Sequence, residues 1–197
     1  MAVDLAPTTR EVARLVGAVR EDQLDGPTPC TEFAVRHLLA HLGQLSVAFR
    51  MMAEKAPLGG RPTSPKELEL PADWRDTIPR DLGRLADAWQ YPGAWEGTVQ
   101  FFGREMPGAM AGQIAVDEVV LHGWDLARSI GAGYQVDEPA LRAAHDWVSA
   151  TVERTGGRGQ EGLFGPAVPV AEDAPLLDRV VALSGRRPNW SAGAAGS

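Results

Sequence analysis

The stretch VDEVVLHGWDLARSIG, residues 116–131, indicates a buried α-helix that carries two groups an apolar core does not require. Glu118 and His122 are four residues apart, so on a helix they lie one turn apart on one face, with Cβ atoms about 5–6 Å from each other. Their helical neighbours are mostly apolar, which predicts that the Glu118 carboxylate faces inward. A buried ionised carboxylate is costly unless it is compensated, and a divalent metal ion is among the strongest compensators.

The spacing of Glu118 and His122 is common in helices, so by itself it leaves other interpretations open. The two side chains could form a surface ion pair or a satisfied pair inside the core. Asp117 does not share their geometry, because it points about 100° away from Glu118 around the helix axis. We therefore expect the Asp117 carboxylate to be solvated.

A useful metal site needs a third ligand from another element, with a position left open for water or substrate. The stretch RHLLAHLGQ, residues 36–44, offers His37 and His41, which are again four residues apart. His41 follows two leucines on the half of its helix that is expected to face inward. Both histidines are candidates, and His41 has the more apolar surroundings.

The remaining sequence predicts long helices separated by Gly- and Pro-rich punctuation, with little strand signal. This pattern indicates an all-α bundle with short extra helices, in one domain over residues 1–187 and a disordered tail over 188–197. Residues 93–108 alternate in a way that suggests a small hairpin. The predicted helices run from Thr8 or Thr9 to Val19, with a threonine as N-terminal cap, from Thr31 to Lys55, over residues 78–90, from Ala109 to Ile130, over residues 138–155, and within residues 174–185.

Composition limits the classes of function. The chain has 197 residues, 44% hydrophobic residues and a formal net charge of −7, which argues against a nucleic-acid surface because phosphate binding needs clustered basic residues. No apolar run is long enough to cross a membrane. The N-terminal stretch lacks the apolar core of a secretion signal, and a single cysteine, Cys30, closes no disulfide within the chain. We expect a cytoplasmic protein without nucleic-acid or membrane partners.

Three motifs together carry a resemblance to a known family: PTPCTEFAVRHLLAHLG at residues 27–43, DEVVLHGWDLARSIG at 117–131, and FGPAVPVAEDAPLLDRVVALSGRRPNW at 164–190. The chain resembles the actinobacterial mycothiol-dependent maleylpyruvate isomerase-like proteins over roughly residues 5 to 190. These proteins belong to the DinB/YfiT-like superfamily. The resemblance implies a four-helix bundle with a divalent metal ion in its core, and the superfamily often forms dimers, so a homodimer is an open alternative.

The resemblance also implies which residues bind the metal. The family ligands are a histidine at the end of the LLAH turn and a glutamate and histidine four residues apart on a later helix, which correspond here to His41, Glu118 and His122. Such a set suits Zn first, and also Ni, Fe, Mn or Co. Three further residues, in the same motifs, are candidates for contacts that support the ligands: His37, Asp125 and Trp124.

Three interpretations remain open: two kinds of function that use a bound metal ion, and a third in which no metal is bound. The first is an enzyme that uses metal and mycothiol, a small-molecule thiol, as an S-transferase or isomerase on a small electrophile. The second is a non-catalytic metal-binding bundle with a structural or ligand-sensing role. In the third, Glu118 pairs with an arginine such as Arg36 or Arg128. Cys30, in the TPC motif, is interpreted as structural.

The chain also departs from the isomerase that gives the family its name. That enzyme resembles a two-domain protein whose C-terminal domain contributes to activity, whereas a short helix and a tail are predicted at the corresponding end here. The sequence therefore predicts the metal-binding bundle and thiol-dependent chemistry, and it does not predict maleylpyruvate isomerisation itself.

Overall fold

The computed structural model describes residues 2–31, 33–58, 63–101, 103–159 and 164–194. In this part of the chain the architecture is helical with one small antiparallel hairpin, which confirms the predicted fold class. The helices are α1 (Ala6–Ala18), α2 (Val35–Ala53), α3 (Trp74–Gln90), α4 (Gly108–Ile130), α5 (Glu138–Thr155) and α6 (Leu176–Leu183), and the strands are β1 (Thr98–Phe101) and β2 (Arg104–Pro107).

Helices α1 to α4 form the four-helix bundle. Helix α3 packs against α1 and α2, and α4 packs against the same two helices from the opposite side. Helix α5 packs against α4, and α6 packs against α5. The site-bearing helix α4 is therefore the element with neighbours on the most sides.

Helix α4 is buried almost all around, since 16 of its 23 residues are buried. A helix that is apolar on every face belongs in the interior of a domain. It ends at Gly131, whose φ of 69° is the left-handed conformation expected of a helix-terminating glycine. No helix in the described ranges combines the length and apolarity needed to cross a membrane.

The largest differences from the predicted boundaries concern α2 and α3. Helix α2 begins at Val35, later than expected, because the Thr28 hydroxyl donates to the carbonyls of Cys30 and Phe33 and closes a turn there. Helix α3 begins at Trp74, earlier than expected, because the buried indole of that residue anchors the first turn in the core. The loop between them contains a short 3₁₀ turn, and residues 59–62 of it lie outside the described part of the chain.

The N-terminal cap predicted for α1 is wrong, because Thr8 and Thr9 lie inside the helix and are buried. The hydroxyl of Thr8 instead donates to Asp137 Oδ1 at 2.6 Å. The other carboxylate oxygen of Asp137 accepts from Ala140 N and caps α5. One side chain thus fixes the start of α5 against α1.

The predicted hairpin is present, with Val99 opposite Met106 in its register. At the other end of the chain, the segment after α6 folds back on α4, where Arg128 Nε donates to the Trp190 carbonyl at 2.8 Å. That contact falls within the stretch expected to be a disordered tail, and residues 195–197 of that stretch lie outside the described residues.

Candidate metal centre

The structure brings His41, Glu118 and His122 together between two helices. His41 comes from the second turn of α2, and the other two residues come from the middle of α4, one turn apart. Because α2 and α4 pack side by side, the imidazole of His41 meets the face of α4 that carries Glu118 and His122. One ligand-type atom from each residue lies within 4.8 Å of the other two.

Glu118 lies at the centre of this group. Its Oε2 is 3.0 Å from Nε2 of His122 and 4.0 Å from Nε2 of His41. The two imidazole rings meet edge to face with their centroids 4.9 Å apart. Two ring nitrogens and one carboxylate oxygen thus converge on a small volume at the side of the bundle core.

A second carboxylate orients His122 from the other side of its ring. Asp125, one turn further along α4, places Oδ2 3.0 Å from Nδ1 of His122. With Nδ1 held by this carboxylate, Nε2 is the nitrogen directed at Glu118. Of the three residues expected to support the ligands, Asp125 is the one with this contact.

Arg186, which the sequence analysis did not single out, completes this arrangement. Its Nε donates to Asp125 Oδ1 at 2.8 Å, and its Nη2 donates to Asp125 Oδ2 at 2.9 Å. Such a two-point contact is the strongest geometry available to an arginine and a carboxylate. Residues 125 and 186 are far apart in the sequence, and helical spacing gave no signal for their contact. The only sequence signal was the place of Arg186 within the third family motif.

The charges of the group follow from these contacts. Burial, reinforced by the neighbouring charge of His122, lowers the pKa of His41 to about 4. Burial acts in the same direction on His122, but hydrogen bonds and charges of Asp125 and Glu118 outweigh it and raise the pKa of His122 to about 9. For Asp125, burial is outweighed by Arg186 and His122, which hold the pKa of that carboxyl well below its usual range.

Asp117 is not solvated, so the prediction for this residue is wrong. It is 1% exposed, and its Oδ1 has no hydrogen-bond partner among the described residues. Burial and the charge of Glu118 raise the pKa of Asp117 well above its usual range. The prediction assumed that one face of α4 is exposed, whereas this helix is covered on nearly all sides.

The other singled-out residues lie near the group without joining it. His37 Nδ1 accepts a hydrogen bond from Ala34 N at 3.1 Å, so His37 stabilises the start of α2, and its expected contact with the ligands stays a prediction. Trp124 is buried and packs near Arg128. Glu118 also does not pair with Arg36 or Arg128, the two arginines named as its possible partners. Arg36 pairs with Asp25, and Arg128 donates to a backbone carbonyl.

The residues present fit a divalent metal ion. Two imidazoles and a carboxylate are a ligand set of known catalytic zinc sites, and a metal-binding histidine commonly has its second nitrogen held by a carboxylate, as His122 has. His41 differs in this respect, since its Nδ1 is buried without a hydrogen-bond partner in the described ranges. The donor chemistry and the orientation of His122 favour a metal at this place.

Comparison with protein families identifies the group to which this arrangement belongs. The family of the mycothiol maleylpyruvate isomerase N-terminal domain matches residues 5–127, which is more than half of the chain. The chain belongs to this family. The matched region includes His41, Glu118 and His122, and it ends before Arg186.

Curated relatives of this family member include the uncharacterized proteins Rv0738 and MT0763 from two strains of Mycobacterium tuberculosis. Each is 26% identical to the chain over 175 residues, a match that spans 88% of this chain and 91% of the relative. The similarity therefore extends beyond the matched family domain and includes α5.

Solved structures of the mycothiol-dependent maleylpyruvate isomerase, as the unmodified enzyme and as a histidine-to-alanine mutant, have the same fold. Their TM-scores are 0.69 and 0.65, each at 20% identity, and each match covers 94% of this chain and 88% of the solved chain. The shared fold therefore extends over most of both chains.

Proposed function

We propose that this chain is a mycothiol-dependent enzyme that acts on a small electrophile as an isomerase or S-transferase, with a divalent metal ion bound by His41, Glu118 and His122. Membership of the mycothiol maleylpyruvate isomerase family supports the thiol dependence. The fold shared with the solved isomerase is consistent with it. Zinc suits the ligand set best, and Ni, Fe, Mn or Co are alternatives.

One observation carries this proposal: ligand atoms of three residues from two helices lie within 4.8 Å of one another. Elements that are separate in the sequence are required to build this group, so it is more specific than a helical Glu–His pair alone. A divalent ion bound there would favour the thiolate form of a thiol ligand, and a thiolate is a nucleophile for an electron-poor double bond or another electrophilic carbon.

The residues around the ligands have separate roles in this proposal. His41, Glu118 and His122 bind the ion, and Asp125 holds His122 in the tautomer that presents Nε2. Arg186 neutralises Asp125 and fixes its orientation through two hydrogen bonds. Asp125 and Arg186 act on the ligands through His122, which makes them positioning residues.

Metal binding is tested first, by elemental analysis of the purified protein and of two single variants. We expect about one ion per chain in the parent protein and in His37→Ala, and none in His41→Ala. His37 and His41 lie on the same helix one turn apart, so the pair controls for the general effect of removing a histidine. Equal metal content in all three proteins would reject the site.

The reaction is tested with mycothiol and two electrophiles, maleylpyruvate and an activated aryl halide. An isomerase changes maleylpyruvate without consuming thiol, whereas a transferase consumes one thiol for each product. We expect turnover that requires both metal and mycothiol and that is retained by His37→Ala. Bound metal without turnover, together with a lower melting temperature after chelation, would indicate the non-catalytic bundle instead.

A further inference from the structure

A second group of potential metal ligands lies on the opposite side of the His122 ring. It consists of Cys30, His122 and Asp125, whose ligand-type atoms lie within 4.8 Å of one another. Cys30 comes from the turn before α2 and places its Sγ 3.5 Å from Asp125 Oδ2. The same Asp125 oxygen is 3.0 Å from His122 Nδ1. Thiolate, imidazole and carboxylate together are a suitable set for a soft or borderline divalent ion.

The guanidinium of Arg186 contacts two of these three potential ligands, Asp125 and Cys30. Its Nη2 is 2.9 Å from Asp125 Oδ2 and 3.6 Å from Cys30 Sγ. The Nε and Nη1 atoms are also engaged, with Asp125 Oδ1 at 2.8 Å and with the Ser184 hydroxyl at 3.1 Å. The side chain is buried, and every one of these contacts holds it in one orientation.

A metal ion and this guanidinium exclude each other. An ion bound to a thiolate and a carboxylate lies about 2.0–2.3 Å from each ligand atom. Nη2 of Arg186 lies 2.9 Å from the carboxylate oxygen and 3.6 Å from the sulfur, where an ion shared by these two ligands would bind, and its positive charge repels such an ion. Arginine stays charged throughout the accessible pH range, so the exclusion is permanent.

We propose that Arg186 is a resident cation that fills a second potential metal site formed by Cys30, His122 and Asp125, and thereby limits the chain to one bound metal ion. By excluding this ion, Arg186 also preserves the orientation of His122 in the first group, because an ion at Nδ1 of His122 would replace the Asp125 contact that orients this ring. Arg186 therefore determines how many ions bind and leaves the Cys30 thiol uncoordinated. This inference does not depend on the proposed enzymatic activity.

The test uses Cd²⁺ as the probe, because a thiolate–cadmium bond gives a charge-transfer absorption band in the ultraviolet. Full-length parent protein, Arg186→Met, Arg186→Lys and the double variant Arg186→Met/Cys30→Ser are titrated, and both bound Cd²⁺ and the band are measured. We expect Arg186→Met to bind one more ion than the parent and to show the band. Arg186→Lys keeps the charge and should behave as the parent does.

The double variant distinguishes coordination by Cys30 from binding elsewhere, since it should lose both the extra ion and the band. A band in the parent protein, or a folded Arg186→Met that gains neither ion nor band, would overturn the inference. If Arg186→Met unfolds when no metal is bound, Cd²⁺ is added to the unfolded variant. Recovery of the helical circular dichroism together with the charge-transfer band supports the inference. Failure to recover overturns it. A parent that binds no Cd²⁺ rejects the first site alone, because the gain in Arg186→Met is measured separately.

Discussion

The carboxylate of Asp125 lies 3.0 Å from Nδ1 of His122, one turn earlier on the same helix. This contact places a negative charge directly behind a candidate metal ligand. The Asp125 carboxylate is inaccessible to solvent and still stays ionised, because His122 and Arg186 both contact it. The candidate centre is thus layered at His122, whose ring is held by Asp125, which is held in turn by Arg186.

The Asp125 contact predicts a loss of metal affinity when its charge is removed. In Asp125→Asn the amide holds His122 Nδ1 less strongly and leaves Arg186 without its counterion, so we expect metal affinity to fall about 10- to 100-fold. Breaking the buried pair should also destabilise the fold by about 3–5 kcal/mol. Competition with a chromophoric chelator and urea unfolding measure the two effects.

Asp146→Asn is the matched control for this variant. Its side chain is 82% exposed on α5, and its loss should leave both metal affinity and unfolding free energy close to those of the parent. Unchanged affinity in Asp125→Asn would mean that the carboxylate behind His122 has no part in metal binding.

The two histidines of the centre predict a defined release of protons. Without metal, the pKa of His122 is raised to about 9, because its contacts with Asp125 and Glu118 outweigh burial. The pKa of His41 is lowered to about 4 by burial and by His122, so His41 is already neutral at pH 7. Metal binding requires neutral His122, and we therefore expect release of about one proton per bound ion at pH 7.

The sign of the pH dependence follows from the same values. Metal affinity should increase as pH rises towards about 9, where His122 loses its proton without metal, and then level off. Calorimetric titrations with zinc in two buffers of different ionisation enthalpy measure the proton count. Identical heats in the two buffers at pH 7 would show that His122 is not protonated in the metal-free protein.

The contact between Thr8 and Asp137 makes a prediction for stability away from the centre. Thr8→Val removes a 2.6 Å hydrogen bond to a carboxylate that also caps α5, and hydrogen bonds to charged groups contribute about 1.5–3 kcal/mol. We expect a loss of that size in the unfolding free energy. Thr77→Val is the control, since its hydroxyl donates to a backbone carbonyl at an exposed position. A similar loss in both variants would assign the effect to valine rather than to the contact.

The sequence carried most of the information on the ligands and little on what surrounds them. Glu118 and His122 were found from helical spacing, and His41 from an apolar turn of α2 together with the family resemblance. These signals are local in the sequence, so they can be recognised without knowledge of the tertiary structure. The partner of Asp125 is 61 residues away in a stretch without periodicity, and no local rule brings Arg186 to it.

The wrong prediction for Asp117 has the opposite cause, because a rule for partly exposed helices was applied to a helix that is buried on nearly all sides. The rule that one helix face is solvated holds for helices with a single packed face. Most residues within two turns of Asp117 are apolar and lie all around the helix axis, and this pattern was the available signal that α4 is covered by its neighbours. The ends of α2 and α3 were missed for a related reason, since Thr28 and Trp74 act through contacts that spacing does not reveal.

The final prediction concerns Gly123, which lies between His122 and Trp124 in the centre of α4. A Cβ atom at this position would lie 2.4 Å from Tyr134 Oη and 2.7 Å from Val12 Cγ2, so alanine forces α4 to shift. The hydroxyl of Tyr134 cannot simply move away, because it donates to the Val120 carbonyl at 2.9 Å. We expect Gly123→Ala to lose about 1–3 kcal/mol of stability and to bind metal less tightly, since His122 is the adjacent residue.

Gly83→Ala separates this close contact from the general effect of alanine in a helix. Gly83 lies in α3, and a Cβ atom there would have no described neighbour within 4 Å, so alanine should stabilise the helix by about 0.5–1 kcal/mol. Thermal unfolding of both metal-free variants, followed by chelator competition, measures the difference. Equal stabilisation by the two alanines would show that α4 has room for a methyl group beside Tyr134 and Val12, and would contradict the expected shift of the helix.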